Sequence, residues 1–104
     1  MEEPLLFVVE LAFQISNRGC VLVPGLSTEP GAPHVRVGSE IRLVTPGGQS
    51  INTHVRGIEM LNYGSRRPEK ITAPILLPPT ISKEQVPVGT QVFLRAATGT
   101  AVGA

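Results

Sequence analysis

The sequence predicts an all-β protein, namely a six-stranded, closed, mainly antiparallel β-barrel with one short helical turn. In the longest apolar segment every odd position is apolar, and this period of two is typical of a strand. The 104 residues include 11 glycines and 10 prolines, which favours many turns between short strands over long helices. A closed barrel would also leave no exposed sheet edge in so small a protein.

The first strand is predicted over residues 5–15, where every odd position is apolar while Glu10 and Gln14 are polar. We therefore expect one strand with its odd-numbered face directed into the core. A tight hairpin should follow, with Gly19 at positive φ, and the return strand should run over residues 20–23.

Four further strands are predicted over residues 35–45, 50–62, 73–77 and 90–96. The apolar phase of the fourth strand changes at Gly57, which indicates a β-bulge there. Ser82 and Gln85 have the spacing of a capping box and predict a helical turn over 82–86, ended by Pro87. We expect a single domain over residues 1–104, with its core at about 5–96 and a flexible tail over 97–104.

Composition and charge exclude several classes of protein. The net charge is only +1, whereas proteins that bind nucleic acid by neutralising phosphates usually carry a clear basic excess. The single cysteine excludes an internal disulfide and a cysteine-rich zinc site, and a lone thiol suits a reducing compartment. The acidic start and the lack of an apolar run of about 18 residues predict a cytoplasmic protein without a membrane span.

The candidates for catalysis are Cys20, His34 and His54, and their pattern does not favour an enzyme. Cys20 has apolar neighbours in a predicted strand, where a free cysteine is usually an inert part of the core. The two histidines lack a suitably spaced carboxylate, which predicts surface positions rather than a metal site. The sequence has no phosphate-binding loop, so we expect no bound nucleotide, metal or other cofactor.

Five short segments, taken in order, resemble the second domain of translation elongation factor Tu and related translational GTPases. They are Phe13-x-Ile15-x-x-Arg18-Gly19-x-Val21, Val37-Gly38-x-Glu40-Ile41, Gly57-Ile58-Glu59-Met60, Leu76-Leu77, and Ile81 to Gly89 with Lys83-Glu84 and Val86. The resemblance covers roughly residues 5–96 and implies a six-stranded β-barrel. It also implies a surface near Glu10 and Phe13, where the family accommodates the aminoacyl end of tRNA.

This chain departs from the family pattern at that surface. Glu10 matches the first residue of the family's acidic pair, but Leu11 takes the place of the second. Val23 stands where the family has threonine, and Pro78-Pro79 stands where it has Arg-Gly. No GTPase domain precedes the matched segments in this sequence. We therefore expect a more apolar surface than the family's.

The sequence predicts a stand-alone binding module of a protein-interaction or accessory kind. The candidate binding residues are Glu10, Phe13, Arg18, Arg66 and Arg67. A plain hairpin turn with a solvated side chain also explains Arg18, and a solvated loop explains Arg66 and Arg67. The expected partner is another protein or a second copy. Two alternatives stay open, a module that binds the aminoacyl end of tRNA and a small enzyme that uses Cys20 or a histidine.

Overall fold

The computed structural model describes residues 3–59 and 72–95. Those residues form eight β-strands and a single turn of 3-10 helix, with no α-helix among them. The strands are β1 (Leu5–Val8), β2 (Leu11–Ile15), β3 (Gly19–Ser27), β4 (Glu40–Val44), β5 (Ser50–His54), β6 (Gly57–Ile58), β7 (Thr72–Leu77) and β8 (Gln91–Leu94). The 3-10 turn, Lys83–Gln85, lies between β7 and β8.

The strands form two four-stranded antiparallel sheets rather than one closed barrel. The first sheet has the order β1-β8-β4-β5, and the second sheet has the order β2-β3-β7-β6. The prediction of a six-stranded closed β-barrel is therefore wrong, although the all-β prediction is confirmed. The physical reason is that two of the six predicted strands divide. Each of these two contributes one strand to the first sheet and one strand to the second.

The first division falls between Val9 and Glu10, within the strand predicted over residues 5–15. The amide of Val9 donates to the carbonyl of Thr90 at 2.8 Å, next to β8 in the first sheet. The amide of Glu10 donates to the carbonyl of Val23 on β3, also at 2.8 Å, in the second sheet. Adjacent residues thus bond to different sheets.

The second division falls between Val55 and Arg56, within the strand predicted over 50–62. The amide of Val55 donates to Ser39 at 2.9 Å, beside β4, while the amide of Arg56 donates to Leu76 of β7 at 2.8 Å. The change of apolar phase near Gly57 therefore marks a change of sheet and not the predicted bulge.

β3 is longer than the predicted strand over 20–23, because it continues through Pro24 and Gly25 to Ser27. Proline lacks the amide that a regular ladder requires, so it is tolerated only where pairing is irregular. The register between β3 and β7 shifts between Leu22 and Leu26, which places Pro24 at such an irregularity.

The core lies between the two sheets and receives side chains from both. Ile41, Leu43 and Val92 come from the first sheet, and Leu22 and Ile75 come from the second, all fully buried. Ile81 and Val86, which flank the 3-10 turn, join the same cluster. The turn agrees with the predicted position, and the Ser82 amide donates to Gln85 Oε1 at 2.9 Å.

The hairpin between β2 and β3 has the conformation that the sequence predicts. Gly19 has a φ of 131° and Asn17 a φ of 63°, and the amide of Arg18 donates to the Ile15 carbonyl at 3.0 Å. A Cβ atom on residue 19 would lie only 2.0 Å from the Leu77 carbonyl oxygen. Glycine is therefore required both by the backbone angle and by the approach of β7.

Among the described residues, no helix has the length and apolar character needed to cross a membrane.

We expect Gly19→Ala to lower the free energy of unfolding by about 3 kcal/mol, since it combines backbone strain with a backbone clash. Gly31→Ala is the matched control, because Gly31 also has positive φ, at 89°, but no atom lies within 4 Å of the position that a Cβ atom would take there. The control should cost about 1 kcal/mol. Urea unfolding measures both values, and equal costs would contradict the close contact with β7.

Candidate functional site

The side chains of residues 5–15 do not keep one orientation along the segment. Phe7 and Val9 point into the core and are 8% and 1% exposed. Leu11 and Phe13, which have the same odd numbering, are 47% and 48% exposed. The expected inward face is thus correct for Phe7 and Val9. It is wrong for Leu5, which is 47% exposed, and for β2, which follows the change of sheets.

The outward side of the second sheet carries an apolar surface that we call the outer apolar face. In the sheet register, Leu11 lies opposite Val23, and Phe13 lies opposite Val21, which in turn lies opposite Leu76. None of these side chains belongs to the core cluster. The face comprises Leu11, Phe13, Ile15, Val21, Val23 and Leu76.

The outer apolar face is graded in exposure. Val21 and Leu76, near its middle, are only 7% and 5% exposed. Ile15 and Val23 are half-buried, and Leu11 and Phe13 of β2 are the most exposed members. The solvent-exposed part of this face therefore lies mainly on β2, which is one of the two edge strands of the sheet.

The first sheet has a different outward side. Arg42 of β4 lies there in register with Asn52 and Phe93, with its Nη2 atom 2.6 Å from Glu3 Oε1. Its guanidinium also lies 5.8 Å from the centre of the Phe93 ring. An antiparallel sheet with one face on the core usually has such polar groups on the other face. The second sheet departs from that rule.

Gln14 holds β2 in place from the side opposite the outer apolar face. Its Nε2 atom donates to the Gly19 carbonyl at 3.2 Å, across the hairpin. Its Oε1 atom accepts the amide of Lys83 at 3.0 Å, at the start of the 3-10 turn. The strand that carries Leu11 and Phe13 is therefore fixed to two other parts of the fold.

Three of the five predicted binding residues lie on β2 or next to its ends. Glu10 is exposed at the bend before β2, Phe13 is at the middle of the strand, and Arg18 is exposed in the hairpin after it. Among residues 3–59 and 72–95, neither Glu10 nor Arg18 has an ion-pair partner. Arg66 and Arg67 lie outside the described residues.

Sequence reasoning identified Phe13 as a candidate and expected an apolar surface from Leu11 and Val23. The structure places those two residues directly opposite each other on adjacent strands. Sequence reasoning missed Ile15, Val21 and Leu76, because an alternating pattern alone does not say which face of a strand is inside. The polar residue Glu10, which interrupts the apolar run, was the available signal for a break.

Cys20 lies in the core and is fully buried. Burial raises the pKa of its thiol above the ordinary value of 9.0, and Glu84 raises it further while Lys83 acts in the opposite direction. A buried thiol with a raised pKa is a poor nucleophile. The buried position of Cys20 thus favours a structural role for this residue.

Two surface depressions offer other places for a ligand. One, of about 390 Å³, is open and polar and is lined by Gly38, Glu40, Asn52, Thr53, His54 and Arg95. Its carboxylate is already paired, because Glu40 Oε1 lies 3.3 Å from Arg95 Nη1. The other, of about 210 Å³, lies near Phe7 and Pro24. The first contains a carboxylate, an imidazole and a hydroxyl, from Glu40, His54 and Thr53, whereas the described lining of the second includes no histidine or cysteine.

Both histidines are exposed, as predicted. Within the described ranges, no group of three or more histidine, cysteine or acidic side chains could hold a metal ion. That no nucleotide or metal binds stays a prediction.

Comparisons with family models, with curated proteins and with solved structures find no match for this chain. The similarity to the second domain of elongation factor Tu therefore rests on the sequence segments alone.

We expect the native Cys20 thiol to react with a disulfide reagent at least about a hundredfold more slowly than the unfolded chain at pH 8, because reaction requires opening of the core. Spectrophotometric thiol titration with and without denaturant measures the ratio. Rapid and complete labelling of the native protein would contradict the buried position.

The raised pKa of Cys20 also predicts the direction of a pH effect on stability. The unfolded chain loses the thiol proton near 9.0, before the folded chain does. The contribution of the Cys20 thiol to the free energy of unfolding is therefore constant below pH 9, and it decreases as the pH rises above 9. Cys20→Ser, at a cost of about 1–2 kcal/mol from burying a hydroxyl, should remove this pH dependence.

Proposed function

We propose that this chain is a protein-binding module whose contact surface is the outer apolar face. The observation that supports the proposal is that the second sheet is apolar on both sides, with Leu11 and Phe13 about half exposed at its edge. A contiguous exposed apolar patch is a candidate site of contact with another macromolecule.

The energetics favour a protein partner. Full burial of one leucine or phenylalanine side chain contributes about 1.5–3 kcal/mol, so covering the exposed halves of Leu11 and Phe13 would contribute roughly half as much for each. Large aromatic side chains near the centre of a contact are also the ones that most often dominate binding energy. Phe13 occupies that position on β2.

The same surface gives less support to binding of the aminoacyl end of tRNA. A net charge of +1 and an apolar face offer little attraction to phosphates. The resemblance to the translational family keeps this alternative as a hypothesis, which strongly salt-dependent binding of tRNA would support.

We expect Phe13→Ser to abolish the capture of the protein's specific partner, since it removes the largest exposed apolar side chain of the face. The measurement is affinity capture from the source cell with the wild-type chain and variants as bait, followed by identification of retained protein and RNA. Val37→Ser is the matched control, because Val37 is 60% exposed and lies before β4, which belongs to the first sheet.

Circular dichroism and urea unfolding should show that both variants stay folded, because both side chains are largely outside the core. A partner that both variants retain equally would overturn the proposed surface. Retention of tRNA alone by all three baits would favour the translational alternative.

A further inference from the structure

We propose that the partner of the outer apolar face is a second copy of this chain, placed so that the two β2 strands run antiparallel across a two-fold axis near Phe13. This inference rests on the proposed function and names its partner. Three features of the described residues support it, namely the symmetry of the apolar stripe, the charges at its ends and the size of the face.

The apolar stripe of β2 is self-complementary. Leu11 and Ile15 stand at equal distances on either side of Phe13 and face the same side of the sheet. A two-fold rotation about Phe13 therefore places Leu11 opposite the partner's Ile15 twice and brings the two Phe13 rings together. A two-fold interface requires this property, because the same patch serves both subunits.

The charges at the ends of β2 are complementary in the same arrangement. Glu10 lies just before the strand and Arg18 just after it, and both are exposed. Neither has an ion-pair partner among the residues that the structure describes. When two β2 strands run antiparallel about Phe13, Glu10 of each copy lies opposite the partner's Ser16, two positions from Arg18. The long side chain of Arg18 extends across that offset, so that attraction arises twice. A parallel arrangement would place like charges together.

The size of the face sets the expected strength of association. Three strands spaced about 4.8 Å apart, with five residues of about 3.3 Å each, span roughly 15 by 17 Å. The resulting area of about 250 Å² is roughly a third of the 800 Å² that each partner contributes to a standard interface. A weak, reversible dimer is therefore expected, with a dissociation constant of about 10–100 micromolar. The small net charge produces little repulsion between copies.

Sedimentation velocity of the purified chain, from about 1 to 500 micromolar, tests the inference at concentrations on both sides of that constant. The wild type should pass from monomer to dimer over this range, and Phe13→Ser should stay monomeric. Arg36→Glu is the control, because it changes the net charge as Arg18→Glu does but at an exposed position outside β2 and its hairpin.

Two charge reversals test the antiparallel arrangement itself. Glu10→Arg gives two basic side chains at each end of the dimer, and Arg18→Glu gives two acidic ones, so each should raise the dissociation constant about tenfold or more. An equimolar mixture of the two variants should restore dimers of wild-type affinity, because each end then holds one acidic and one basic side chain. Added salt should reduce the differences.

A wild type that stays monomeric at about 500 micromolar, or a mixture that dimerises no better than its components, would overturn the inference. In either case, loss of the capture of a different protein by Phe13→Ser would still support the proposed function. If Phe13→Ser does not change which proteins are captured, the proposed function fails together with the inference. Because the charged positions are exposed, a failure of folding would not explain the loss of dimers in those variants.

Discussion

The structure depends on the pair of backbone hydrogen bonds at which the chain passes from one sheet to the other. Val9 bonds to Thr90 in the first sheet, and Glu10 bonds to Val23 in the second. Consecutive residues of a strand point to opposite faces, so the orientation of all later side chains depends on how the chain turns at this step. Here Phe7 and Val9 are inside before the step, and Leu11 and Phe13 are outside after it.

The two crossings explain how a chain of this length fills one core and still has an apolar surface outside it. The first crossing directs Phe7 and Val9 into the core and releases Leu11 and Phe13 to the exterior. The second, at Val55 and Arg56, lets the segment that pairs with β4 continue beside β7. Core side chains from both sheets meet between them, and Leu11 and Phe13 stay about half exposed on the outer apolar face.

Much of the local structure could be predicted from the sequence, because it depends on local chemistry. Gly19 in the hairpin and the turn after Ser82 follow from residue preferences that act over three or four positions. The closed barrel could not be excluded in the same way, since alternation shows that a segment is a strand but not which neighbours it pairs with.

The candidate site was predicted only in part for the same reason. Phe13 was selected from a resemblance, and Leu11 and Val23 from departures from it, whereas the inclusion of Val21 and Leu76 requires the register of three strands. The change of phase at Gly57 was visible in the sequence, but a bulge and a crossing produce the same pattern. Only the hydrogen bonds of Val55 and Arg56 distinguish the two.

The most direct test of this account is the solvent exposure of the three phenylalanines, Phe7, Phe13 and Phe93. Fluorine NMR of chain labelled with fluorophenylalanine, at a concentration low enough to keep it monomeric, measures the change of each resonance between H₂O and D₂O. The account predicts a large solvent isotope shift for Phe13, which is 48% exposed, and a small one for Phe7, which is 8% exposed. Equal protection of Phe7 and Phe13 would show that residues 5–15 keep one inward face, and it would contradict the account.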